Sequence, residues 1–126
     1  MNKLLFVSTI FLALTFTSNT VLAQQRGNLS EAEKEQLLEQ MAKDFEKLEL
    51  EEEQKEAYKI ISIKYANKLK PVKEMSGSRY AKYKKVKTIR DAKNAEMRKL
   101  LSKSQYKTYL EIQERRKKAY QEARGK

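Results

Sequence analysis

Four carboxylates that lie close together in the chain are the residues whose types and spacing come nearest to a catalytic arrangement. They are Glu49, Glu51, Glu52 and Glu53. General acid–base catalysis requires two such groups held in a pocket that shifts their pKa values. A run of glutamates at an exposed helix start is ordinarily solvated. We therefore expect no catalysis here, and at most weak binding of a divalent cation.

The composition removes most other kinds of active-site chemistry. The 126 residues include no His and no Cys, so the usual nucleophile–base pairs and the usual ligands of zinc and copper are absent. The three glycines are scattered at positions 27, 77 and 125, which leaves no glycine-rich phosphate loop. The sequence predicts a protein that is not an enzyme and that has no cofactor and no dedicated metal site.

A binding chemistry is suggested by residues 79–87, where basic and aromatic side chains are interleaved. Lysines contact phosphates and tyrosines stack on bases, so this pattern in a cytoplasmic protein would indicate nucleic acid. The export signal described next argues against nucleic acid. Unfolded polypeptide and anionic lipid head groups remain as partners. A solvated helix face with its tyrosines packed inward is the third interpretation.

The first 23 residues have the pattern of a secretory signal peptide. Lys3 is followed by an apolar run over residues 4–16, which is too short to span a bilayer comfortably. Residues 21–23 suit cleavage after Ala23, and an uncleaved anchor is the alternative. We expect a periplasmic protein, with a polar, disordered lead-in over residues 24–29.

Residues 30–126 are predicted to form a single all-α domain of four amphipathic helices with a basic C-terminal tail. The first helix follows a capping box at Ser30 and Glu33 and runs to about residue 47, the second and third cover about 52–69 and 79–101, and the fourth begins after Ser102 and runs to about residue 123. Pro71 lacks a backbone N–H and disfavours helix at the preceding residue, so residues 71–78 are predicted to form a kink and a turn. This turn would join the second and third helices as a central hairpin.

Two of the predicted helix starts resemble each other. In the later one, Ser102 is a candidate N-cap after Leu101, and Gln105 lies three residues on, where it can complete a capping box. The earlier one has the same Leu-x-x-x-Gln spacing 51 residues upstream. Its members are Leu50, Glu51 and Gln54. A glutamate is a poorer N-cap than Ser, Thr or Asp, although it suits the positive end of the helix dipole.

A Leu-Ser/Thr-x-x-Gln pair in a short, exported, helical and highly charged chain resembles the Spy/CpxP-like (LTXXQ-motif) family of periplasmic proteins. Residues 101–105 fit the motif fully, and residues 50–54 depart from it at Glu51. The resemblance covers roughly residues 30–120. The resemblance implies a thin, curved, dimeric helical cradle that acts as an ATP-independent holding chaperone of the cell envelope.

The expected clients are unfolded or partly folded envelope proteins. Candidate client contacts are Met41, Phe45, Tyr80, Tyr83, Lys84, Lys85, Val86 and Lys87. Some relatives are thought to regulate an envelope-stress sensor kinase, so a regulator that binds one sensor domain is an alternative. A protein that binds an anionic membrane surface is another. A metal-responsive role is disfavoured by the absence of His and Cys.

Charge is distributed asymmetrically along the chain. Residues 31–56 hold 11 acidic and 4 basic side chains, whereas residues 57–126 hold 22 basic and 6 acidic ones. An antiparallel homodimer that places the acidic first helix near the basic fourth helix would neutralise both. Two solvated faces without such pairing are the alternative.

Overall fold

The computed structural model describes residues 28–125, and every regular element in that range is a helix. They are α1 (Glu31–Leu48), α2 (Glu52–Glu74), α3 (Arg79–Leu100) and α4 (Lys103–Arg124). The predicted all-α class with four helices is thereby confirmed. The predicted signal peptide and residues 24–27 of the predicted lead-in lie outside the described residues. None of the four described helices has a stretch long and apolar enough to cross a membrane.

The N-terminus of α1 is capped locally and then bonded to α2. Ser30 and Glu33 form a reciprocal capping box, in which each side chain accepts the other's backbone N–H at 3.2 and 2.7 Å. The ammonium of Lys70 donates to Glu33 and to the carbonyl of Asn28, both at 3.0 Å. Hydrogen bonds lower the pKa of Glu33 to about 2, with the largest contribution from the Ser30 backbone N–H and the next from Lys70.

Helix α2 is longer than the sequence predicted. It continues through Pro71 to Glu74, so the expected kink and turn over residues 71–78 is wrong for its first four residues. Proline lacks an N–H but holds a φ that suits a helix, and the clash with the preceding turn can be offset by packing. Val72, the next residue, is buried. The connection shrinks to residues 75–78, where Gly77 adopts a φ of 151° that side chains disfavour.

The hydrophobic core lies around the two helix junctions at residues 48–51 and 101–102. Helix α1 packs against α2 and α4, and α3 packs against the same two helices, with the most extensive contact between α2 and α3. The buried core residues come mainly from the helix ends that meet there. They are Met41, Leu48, Leu50, Tyr58, Met97, Leu101, Tyr109 and Ile112. Since the core is concentrated there, residues 75–90 contribute no side chain to it.

Candidate functional site

The two similar helix starts meet in space and bind each other through their glutamines. The amide nitrogen of Gln54 donates to the amide oxygen of Gln105 at 2.9 Å, and the amide nitrogen of Gln105 donates back at 3.2 Å. The amide nitrogen of Gln54 also donates to the carbonyl of Leu100, the last residue of α3, at 3.3 Å. The amide nitrogen of Gln105 donates to the carbonyl of Leu48, the last residue of α1, also at 3.3 Å. We call this arrangement the glutamine clasp.

Each glutamine in the clasp also caps its own helix. The amide oxygen of Gln54 accepts the backbone N–H of Glu51 at 3.1 Å, and that of Gln105 accepts the N–H of Ser102 at 2.9 Å. The capping role was predicted from sequence for both. Their mutual contact was not, although a capping glutamine always keeps amide N–H groups free to reach a second partner. The motif therefore joins the α1–α2 and α3–α4 junctions.

The two halves of the clasp differ at the cap position. The Ser102 hydroxyl accepts the backbone N–H of Gln105 at 3.1 Å, whereas the Glu51 carboxylate faces the backbone N–H of Gln54 in the same arrangement without forming a hydrogen bond of standard geometry. We expect Glu51→Ser to raise the free energy of unfolding by about 0.5–1 kcal/mol, because the shorter hydroxyl supplies a better-placed acceptor. Urea unfolding followed by circular dichroism measures this, with Glu53→Ser in the first turn of α2 as the control. An equal gain in both variants would assign the effect to charge.

A buried polar network lies beside the clasp. The carboxylate of Asp44 in α1 is 2% exposed and accepts the Tyr58 hydroxyl of α2 at 2.9 Å. It also accepts two hydrogen bonds from the guanidinium of Arg116 in α4, one of them at 3.1 Å. The sequence carried no signal for this site. Asp44 is one of eleven acids in residues 31–56, and Arg116 lies in the predicted basic C-terminal tail.

The pKa values of titratable groups around Asp44 are shifted, mainly because these groups are buried. Burial, reinforced by the Asp44 carboxylate, raises the pKa of Tyr58, and burial raises that of Tyr109. Burial and the Arg116 charge lower the pKa of Lys93. The contribution of both tyrosines to stability is complete below about pH 10 and is lost as the pH rises toward their folded-state pKa values. The network is suited to holding three helices together.

The glutamates considered for catalysis lie on the surface. Glu49, Glu51, Glu52 and Glu53 are all exposed, and Glu49 ends α1 in the left-handed conformation with a φ of 52°. Within residues 28–125, no group of three or more acidic side chains is arranged to hold a metal ion. All four side chains lie in contact with solvent.

The predicted client contacts fall into two groups. Met41 is 2% exposed in the core, and half-buried Phe45 packs edge-on against Tyr58 with ring centroids 5.7 Å apart. The other six lie on α3, where Val86 is half-buried and the rest are exposed. Because α1 does not pack against α3, the structure does not bring the two groups together. We name the exposed five the basic tyrosine face: Tyr80, Tyr83, Lys84, Lys85 and Lys87.

The basic tyrosine face leaves two aromatic rings in water. Tyr80 is 67% exposed and Tyr83 is 55% exposed. The ammonium of Lys84 lies 5.2 Å from the Tyr80 ring centroid, within range of a cation–π interaction. Lys87 is paired with Asp91 at 2.8 Å. The expectation that tyrosines pack inward thus fails here, since Val86 and Ile89 take the more covered positions of α3.

No protein-family model, curated protein or solved structure matches this chain. The fold and the two sites define an all-helical protein whose structural centre is the glutamine clasp with its neighbouring Asp44 network. The basic tyrosine face lies exposed on α3.

Proposed function

We propose that this protein is an ATP-independent holding chaperone of the cell envelope, which binds partly unfolded clients and limits their aggregation. The observation that carries the proposal is the exposure of Tyr80 and Tyr83 on a face lined by lysines. Partly unfolded chains expose apolar side chains, which the rings can cover, and backbone carbonyls and carboxylates, which lysines can bind. No nucleotide is needed for such binding.

The balance of forces favours weak and reversible capture. Two half-exposed rings provide a small apolar area, so they cannot hold a client tightly. Residues 64–90 carry ten basic side chains and one acidic one, which attracts acidic clients over longer distances than apolar contact does. A client would therefore be attracted by charge, held briefly by the rings, and released to fold.

The proposal includes a finer architecture, a central hairpin in a thin, dimeric cradle. Contacts between α2 and α3 support the hairpin. Lys64 of α2 bonds to Glu96 of α3 at 2.7 Å, and at the other end Lys85 of α3 donates to the sulfur of Met75, the residue after α2, at 3.5 Å. The acidic segment 31–56 and the basic remainder of the chain support a homodimer of complementary surfaces.

Aggregation assays test the function directly. The protein is purified from an exporting bacterial host, and its mass shows whether it begins at Gln24. Without ATP, a near-stoichiometric amount is expected to suppress light scattering by a client diluted from denaturant. The double variant Tyr80→Ser/Tyr83→Ser is expected to bind clients roughly 30-fold more weakly, since each partly covered ring contributes on the order of 1 kcal/mol.

Two controls separate this effect from net charge and from general tyrosine content. An unrelated basic protein should not suppress scattering, and Tyr120→Ser, at a tyrosine 64% exposed on α4, should leave suppression unchanged. No suppression by the unmodified protein at several-fold excess would contradict the chaperone proposal. Selective, saturable binding to one sensor-kinase domain would then favour the regulator.

A further inference from the structure

Positive charge is concentrated at the end of α2 and in the first half of α3. Three of the ten basic residues between positions 64 and 90 pair with carboxylates at 3.0 Å or less, and Arg90 lies 4.0 Å from Asp91. The other six have no carboxylate within 4.0 Å among residues 28–125. They are Lys68, Lys73, Arg79, Lys82, Lys84 and Lys85. This region therefore presents uncompensated charge to an external partner.

Four exposed residues in the first half of α3 form a strip along one side of the helix. Tyr80, Tyr83, Lys84 and Lys87 are spaced at i, i+3, i+4 and i+7, so they share a face. At 1.5 Å per residue the strip is about 10 Å long. Lys82, Val86 and Ile89, on the other side, are half-buried. The strip is convex and open, a shape that fits a broad surface better than a small ligand.

We propose that the basic tyrosine face docks the protein on the anionic surface of a phospholipid bilayer. Charge complementarity is the first argument, because lysines near an anionic leaflet each strengthen binding. The two exposed rings are the second. A tyrosine at head-group level buries its ring and keeps its hydroxyl in water, whereas a soluble polyanion without apolar groups would leave Tyr80 and Tyr83 exposed. Because clients are proposed to bind the same face, a bilayer and a client would compete for it.

The face also determines how deeply the protein can enter the bilayer. The strip contains two rings and two lysines, with Lys85 to one side of it, and it has no large aliphatic side chain. Lysine stems can lie along the interface while their ammonium groups reach phosphates. The protein should therefore bind peripherally and reversibly, and screening of the lysine charges by salt should release it.

Sedimentation with vesicles tests the proposal on the protein purified from the exporting host. Vesicles of phosphatidylcholine containing phosphatidylglycerol should bind it at low salt, and vesicles of phosphatidylcholine alone should not. Lys84→Gln/Lys85→Gln should lower the partition coefficient roughly tenfold or more. Tyr80→Ser/Tyr83→Ser, which keeps every charge, should lower it several-fold. Circular dichroism verifies that each variant remains helical.

Matched variants on α4 decide whether the α3 face is responsible. Lys117→Gln/Lys118→Gln makes the same change in net charge at two exposed lysines, and Tyr120→Ser removes an equally exposed ring. Both should bind anionic vesicles as the unmodified protein does. The proposal would be overturned if the α3 and α4 variants lost vesicle binding equally, or if the unmodified protein did not bind anionic vesicles at low salt. If the unmodified protein did not bind anionic vesicles but still suppressed aggregation, the docking proposal would fail and the chaperone proposal would stand.

Discussion

Asp44→Ala is expected to lower the free energy of unfolding by about 3 kcal/mol, the largest effect of any exchange considered. The substitution removes the acceptor for the Tyr58 hydroxyl and the counter-charge of Arg116, and leaves both groups without a partner. A fully buried ion pair would lose up to about 5 kcal/mol. The Arg116 side chain is 31% exposed, so water relieves part of the loss.

Chemical denaturation measures the effect of Asp44→Ala. Urea unfolding is followed by circular dichroism, with Glu46→Ala, an exposed acid two residues further along α1, as the control. The double variant Asp44→Leu/Arg116→Met should be more stable than Asp44→Ala, because it leaves no unpaired charge. If Asp44→Ala unfolded within about 1 kcal/mol of the unmodified protein, in the range of exposed ion pairs, the network would not hold the helices together.

Gln105→Ala is expected to cost about 2–3 kcal/mol, because it removes hydrogen bonds to Ser102, Leu48 and Gln54, each worth roughly 1 kcal/mol. Gln54→Ala should cost nearly as much, since its contacts mirror those of Gln105. In the double variant the two losses should not add, because each single exchange already breaks the shared bonds of the clasp. For a domain of this size, such a loss is a large fraction of total stability.

A double-mutant cycle in urea measures the coupling between the two glutamines. The control is Gln121→Ala, an exposed glutamine of α4, which should change stability by less than about 0.5 kcal/mol. Strictly additive losses in the cycle would mean that the glutamines act only as separate helix caps.

The elements of this fold could largely be predicted because their signals are local. Ser30, Ser78 and Ser102 each cap a helix that begins at the next residue, and the bonds involved span three residues. A cap operates within one turn, so adjacent residues suffice to place it. Pro71 is the exception. Its local preference against helix was overridden where α2 continues to Glu74.

The direction of side chains on α3 could be predicted only in part. The spacing of Tyr83, Val86 and Ile89 is that of one apolar helix side, but Tyr83 is exposed and Val86 is half-buried. Tyrosine satisfies either environment, since its ring is apolar and its hydroxyl is polar. The pattern of residue types therefore could not decide between a packed face and an open one.

The all-α class, the four helix starts and the asymmetric charge follow from the amino-acid sequence. Each depends on composition or on residues within one helical turn. The packing of the helices is what brings Gln54 onto Gln105, buries Asp44 against Arg116, and leaves Tyr80 and Tyr83 in water. Gln54 and Gln105 are 51 positions apart in the chain, and Asp44 and Arg116 are 72 positions apart. No local preference specifies which of the many glutamines, acids and arginines will meet once the four helices pack.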